Sequence, residues 1–419
     1  MGNALENLSA GAGRHLIPFR FSGIFTPARL QAYGYAVVVL YAVFFVTAFK
    51  AGGWIIDKSG LPIYTDFAVW WAGGLQALHG NPAALYDPGE FNRIQAALFR
   101  PGEAVYLNWA SYPPTFFLVL APLALMPYAY GFIAWDAVTL LGCVGVVYLI
   151  VRRAPAIALA LASPFTAWNF IAAQNGFLTG SLLGLSLWFL ERRPILAGAF
   201  IGCLTYKPQY GILFPIALVA ARQWRAIISA GVTAALLALA SIVLFGGDAW
   251  IAFPEGFMVQ GKFSLGAGPD SNWGYLQTVY GLIRHLHGSA GLAWLAQGLT
   301  TLAAAVAVWI VWRSRVRYAL KAATLSAAAL IATPYAFAYD MAAIAIPAAF
   351  LATDQLRHGL LRGDQAVWII LFGAPFAVLL VLGDYIGGPT FGGTPISLLT
   401  VIALFCVILH RARYPTPVA

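Results

Sequence analysis

Apolar residues run along this chain in long stretches, and polar residues gather in the gaps between them. Runs nearly free of charge, of the roughly 20 residues needed to cross a bilayer core, recur at 30–49, 226–247, 285–312 and 385–410. Between the apolar stretches the pattern predicts helical hairpins with polar tips on one side. The tips are "WNFIAAQNG" (168–176), "YKPQYG" (206–211), the stretch 246–272, "TPYAFAYD" (333–340) and "DYIGGPTFGGTP" (384–395). The gap at 50–114 is the longest, and its spacing predicts two short helices lying on the membrane surface, one at 67–78 after Asp66 and one at 88–99. Trp70 and Trp71 read there as interfacial anchors.

The segment 115–126 is too short to cross, whereas 129–151 is a full span, so the two read as one short or re-entrant piece followed by one crossing. The fold class expected is an all-α polytopic membrane protein of about 12 transmembrane helices, a single integral domain over 1–419 with a long first outer loop. Asp136 then falls within the membrane. There it is either functional or bonded to a neighbouring helix.

Composition agrees with a membrane class. Apolar residues make up 61% of the 419 and charged residues 9%, too few to cover a soluble globule. The net charge of +9 does not point to nucleic acid. Its sources are short clusters between spans: Arg152-Arg153, Arg192-Arg193, Arg222/Arg225, Arg313 to Arg317, Arg357/Arg362 and Arg411/Arg413. This is the positive-inside pattern, and it puts the segment 1–29 and the tail 411–419 in the cytoplasm, the loop 50–114 in the periplasm and the protein in the inner membrane. The run at 30–49 exceeds a signal-peptide core and reads as a retained span. Cys143, Cys203 and Cys406 all fall within spans as packing residues.

The segment between Arg193 and Arg222 has 28 residues, too few to cross a core of about 30 Å twice at about 1.5 Å per residue. Its tip must be recessed. Lys207 at that tip is then a cation below the membrane surface, an arrangement tolerated only beside protein or a water-filled cavity, and suited to a lipid-borne phosphate. Asp340 precedes the cytoplasmic Asp354 by too few residues for a crossing, so it also reads as recessed, near Tyr335 and Tyr339, as a substrate-binding residue. No metal-ligand spacing and no phosphate-cradling glycine loop occurs on the outer side, so neither a metal nor another cofactor is expected, nor a nucleotide-sugar donor.

Six stretches stand out in order: "YTDFAVWWAGG" (64–74), "GNPAALYD" (80–87), "YPP" (112–114), "AQNGFLTGSLL" (173–183), "KPQYGILFPIALVAARQWR" (207–225) and "TPYAFAYDM" (333–341). Together they resemble glycosyltransferase family 87, a GT-C-type group that includes mycobacterial polyprenol-phosphate-mannose-dependent mannosyltransferases. The relatives look His-rich where this chain has "AYDM".

The resemblance implies a GT-C-type bundle and inverting transfer of a hexose, mannose above all, from a polyprenyl-phosphate carrier to an outward-facing lipid or glycan acceptor. It implies Asp66 as general base; the rival role for Asp66 is the cap of the helix 67–78. Lys207 would bind the donor phosphate and stabilise charge on the leaving oxygen. Gln174 and Asn175 either bind the donor or satisfy a hairpin turn, and Tyr64, Gln209, Tyr335 and Asp340 complete the expected substrate contacts. A transporter or flippase of a lipid-linked sugar is the alternative, since it shares broken helices and polar residues at depth.

Overall fold

Pro27 fixes the first turn of the first long helix, Pro27–Lys50. Its ring presets φ, its missing N–H is one that a first turn does not need, and the Thr26 hydroxyl accepts from the Arg29 N–H at 3.3 Å. This helix begins a computed structural model that describes residues 16–17, 26–63, 65–99, 112–266, 275–361, 364–381 and 396–413. Tyr64, the tip at 384–395, most of the segment 1–29 and the tail from 414 lie outside the described residues.

Among the described residues the chain forms 18 α-helices, joined by 3-10 turns and one short strand pair, Leu16–Ile17 with Leu360–Leu361. Four helices are long and apolar enough to cross a membrane: Ala28–Lys50, Tyr128–Val151, Trp224–Phe245 and Ala290–Arg313. A bent pair, Ala154–Ala162 and Pro164–Ala172, meets at 58° and makes a fifth if counted as one span. Pro164 sets that bend, because the residue before a proline is pushed out of the helical region and Ser163 is extended at ψ 132. The chain is therefore a multi-pass membrane protein, and of the about 12 spans expected the described residues hold four or five that are full-length by length and composition. The other apolar helices, such as Gly176–Phe189, Pro194–Tyr206, Pro208–Ala220 and Tyr318–Ala332, are shorter than a bilayer core.

Two expectations for the first loop need correction. Its helices are where the spacing puts them, Asp66–Leu78 and Pro88–Phe99, but the first does not lie on a surface. Phe67, Val69, Trp70 and Ala72 are buried, and a Cβ on Gly74 would stand 2.4 Å from the Leu120 carbonyl oxygen, so this helix presses directly on the helix Phe117–Ala124. Trp70 is accordingly a core residue rather than an interfacial anchor, its ring edge-on to Tyr112, Phe116 and Trp135 at 5.6–5.8 Å. Trp71 is half-buried and donates its indole N–H to the Met126 carbonyl at 3.0 Å. Of the cysteines, Cys143 is packed in the core but Cys406 is exposed.

Opposite charges close one end of the bundle. Asp354 accepts from Arg317 Nε at 2.5 Å and from Arg411 at 2.7 and 2.9 Å, and Arg411 also pairs with Asp364. Arg411 is buried, so it is not one of the solvated basic residues it was counted with. Breaking such a network leaves a charge without a partner, which costs far more than the intact network contributes.

Candidate active site

Asp66 is the first residue of its helix and Thr65, extended at φ −133 and ψ 173, stands at the cap position without a side-chain bond to the helix, so Asp66 does not occupy the cap position of its rival role. The Asp66 carboxylate instead accepts from Gln174 Nε2 at 2.5 Å. The tip 168–176 is built to present that amide. Asn169 donates to the Gln174 carbonyl at 2.9 Å and accepts the Gly176 N–H at 2.8 Å, while Ala173 turns the chain in the left-handed region at φ 47. Gln174 Oε1 takes the Asn175 N–H at 3.2 Å, which leaves Nε2 aimed at Asp66.

Gly176 brings a second tip against this one. A Cβ at Gly176 would sit 2.2 Å from the Tyr339 carbonyl oxygen, so only glycine permits the approach of the 3-10 run Ala338–Ile344. Asp340 lies in that run. Its Oδ2 accepts the Phe337 N–H at 3.0 Å, and its Oδ1 pairs with Lys207.

Lys207 stands where two short 3-10 turns meet, Leu204–Tyr206 and Pro208–Tyr210, at the break between two short apolar helices. Both Lys207 and Asp340 are buried. The ammonium lies 5.4 Å from the Tyr339 ring centroid, 5.7 Å from Tyr210 and 5.8 Å from Tyr112. A cation held over aromatic faces and against one carboxylate is tolerated at this depth.

Four of the expected residues, Asp66, Gln174, Lys207 and Asp340, thus form one cluster. Burial raises the Asp66 pKa above the ordinary carboxylate range; the Gln174 bond and the charge on Lys207 pull it down, and Asp340 pushes it up again. The phenols of Tyr112 and Tyr339 are raised well above their usual value by burial first and by Asp340 second, so both stay protonated. Tyr335 lies at the edge, accepting from Gln260 at 3.3 Å, and Gln209 is half-buried at its tip.

Several contributors were not among the expected site residues, although Tyr112 opens "YPP" and Thr179 lies in "AQNGFLTGSLL". Tyr112 stacks with Tyr206 at 6.3 Å, Phe116 stacks on Tyr206 at 5.2 Å, and the Tyr206 hydroxyl bridges Thr179 and the Asn175 carbonyl at 2.6 and 3.3 Å. Two tyrosines flanking Lys207 in "YKPQY" were the available hint.

The family model for glycosyltransferase family 87 matches residues 109–334, which takes in Tyr112, Gln174, Asn175 and Lys207 and leaves Asp66 and Asp340 outside. No curated protein and no solved structure matches the chain.

Proposed function

The chain belongs to glycosyltransferase family 87, and from that premise we propose that it transfers a hexose, mannose first among candidates, from a polyprenyl-phosphate carrier to a lipid or glycan acceptor on the outer face of the inner membrane. Asp66 is the general base. It takes the proton of the acceptor hydroxyl as that oxygen attacks the sugar C1; the bond from C1 to the phosphate oxygen breaks, and the electron pair stays on the phosphate. A single displacement inverts the anomeric centre.

The observation that carries this reading is the partner of Asp66. A carboxylate paired with a cation is a poor base, whereas Asp66 is bonded to the neutral Gln174 amide and its pKa is raised by burial. The neighbouring cation is matched by a different acid, Asp340. Lys207 has further N–H groups beyond the one given to Asp340, and these serve the donor phosphate and the charge growing on the leaving oxygen. Asn175, Gln209, Tyr335 and Tyr64 stand as contacts for the remainder of donor and acceptor.

The outward orientation rests on one helix. Tyr128 begins the span Tyr128–Val151 beside Thr65, at 3.5 Å between hydroxyls, and Arg152-Arg153 follow its other end, about 36 Å away at 1.5 Å per residue. The basic end is the cytoplasmic one by the positive-inside rule.

The test is transfer from radiolabelled polyprenyl-phosphate mannose and polyprenyl-phosphate glucose by the purified chain in nanodiscs, with lipid and glycan acceptors. Transfer by wild type and its loss in Asp66→Asn is the expected result. Movement of the intact lipid-linked sugar between leaflets, with no transfer, would establish a transporter instead.

A further inference from the structure

Asp136 is 1% exposed within the span Tyr128–Val151, and neither of its carboxylate oxygens has a hydrogen-bond partner. An acid serving only to tie two helices would be bonded to one of them. Asn175 is in the same condition: fully buried, with both side-chain amide atoms unpartnered, although the amide faces the Tyr112 hydroxyl. The Trp135 indole N–H is a third such group.

Helix register brings these groups to one level. Added methyl groups on the glycines at this contact would meet Ser181 from Gly142, Cys143 from Gly180 and Val146 from Gly184. The helices Tyr128–Val151 and Gly176–Phe189 therefore run in parallel, residue against residue, at an offset of 37 to 39. Carried back, that register sets the start of the second helix, Gly176, opposite residues 137–139, so its cap residue Asn175 comes at about the level of Asp136. Neighbours agree, since one turn before Asp136 Phe132 packs on Phe67 at 5.3 Å, and one to two turns after it Leu140 and Cys143 pack with Phe170 and Phe177.

We propose that Asp136 and Asn175, flanked by the Trp135 N–H, form a hydroxyl-reading subsite that receives the sugar ring, on the membrane-buried side of the Asp66–Gln174 pair. The inference rests on the glycosyl-transfer reading for the identity of its occupant. The chemistry suits vicinal hydroxyls: a carboxyl offers two adjacent oxygens, and the Asn amide offers two donors and an acceptor. A buried group left unmatched in the empty protein is matched only by a ligand or water that brings the complementary atoms. A set of unpaired polar groups also discriminates strongly against an analogue lacking the hydroxyl it binds.

Binding is measured without turnover, by saturation-transfer NMR on the full chain in nanodiscs, with methyl α-mannopyranoside, methyl α-glucopyranoside and their monodeoxy forms as probes. Wild type is expected to bind one parent glycoside saturably and to lose roughly tenfold or more on removal of one particular hydroxyl. Asp136→Leu is expected to weaken the parent at least as much and to erase that discrimination, while Asp136→Asn retains part of it. Trp135→Phe keeps the ring and removes only the N–H, so it is informative even if Asp136→Leu does not fold; it too is expected to weaken binding. No saturable binding by wild type, or unchanged discrimination in folded Asp136 and Trp135 variants, would overturn the subsite. Loss of sugar transfer as a function would leave this binding result standing, and active transfer with unaltered discrimination in the variants would remove the subsite alone.

Discussion

Gln174 Nε2 stands 2.5 Å from Asp66 Oδ2, and the bond joins positions 108 residues apart in the chain. It holds the carboxylate without neutralising it, which separates orientation from charge. Asp66→Asn removes the proton acceptor and is expected to slow transfer by about 10² to 10⁴-fold with folding intact. Gln174→Ala leaves the acid but frees its rotamer, so it should cost less, about tenfold or more in kcat with a smaller change in donor KM. Gln174→Glu sets a second carboxyl against the first. Like charges raise one pKa of such a pair, and the acid limb of the pH–rate profile should move upward. Steady-state kinetics across pH distinguishes the three; equal rates for Asp66→Asn and wild type would place the base elsewhere.

Lys207 and Asp340 form a buried pair that the kinetics should expose from both sides. Removing either partner leaves an uncompensated charge at depth, and Lys207→Met or Asp340→Leu should each lower stability by about 3–5 kcal/mol. The double variant should recover part of that. Asp340→Asn has a further effect with a definite sign. Asp340 raises the Asp66 pKa and Lys207 lowers it, so removing the acid and freeing the lysine both move it down, toward the ordinary value of about 4. A base works only when deprotonated, so the acid limb in Asp340→Asn should extend to lower pH. An unmoved or raised limb would show that Asp340 does not act on the base.

Much of this site was legible because the hairpins are too short. Counting residues between Arg193 and Arg222 marked Lys207 as a break between short helices, the same count before Asp354 marked Asp340, and both are buried. Register and partners were not legible in that way. Nothing in "TPYAFAYD" says that its acid will meet the lysine of "YKPQYG", because the contact depends on how the glycine of "QNG" lets three tips converge. Trp70 failed for a related reason: an aromatic after a first span fits an interface and a core equally well, and only packing against Phe116 and Trp135 decides.

The proposed orientation rests on the basic helix ends and is open to direct test. In a background lacking Cys143, Cys203 and Cys406, cysteine at the exposed position Lys58 should react with an impermeant maleimide in intact spheroplasts. Cysteine at the exposed position Arg315 should react only after lysis. The opposite pattern would turn the Asp66 cluster toward the cytoplasm.

Gly176 offers the sharpest test of convergence, because the obstacle to a side chain there is backbone. The Tyr339 carbonyl oxygen would lie 2.2 Å from an added Cβ and the Asn169 Oδ1 2.6 Å. Neither is the free end of a flexible chain: Asn169 is engaged by the Gly176 amide itself, and Tyr339 precedes Asp340 in the 3-10 run. Gly176→Ala must therefore push the run Ala338–Ile344 away from the tip. Overpacking of this kind costs about 1–3 kcal/mol in stability, but the larger effect should fall on activity, since a displacement of about 1 Å in a positioning contact can cost on the order of 10²-fold in rate. The variant should fold with a modestly lower Tm, retain donor binding in part and transfer slowly. Gly180→Ala is the control: it lies one turn further along the same helix, and its Cβ would meet Cys143 Sγ and the Ala343 Cα at 3.3 Å, a milder contact at the far end of the same run, away from Asp340. A loss of activity equal in the two variants would mean that Gly176 serves packing in general rather than the meeting of the tips.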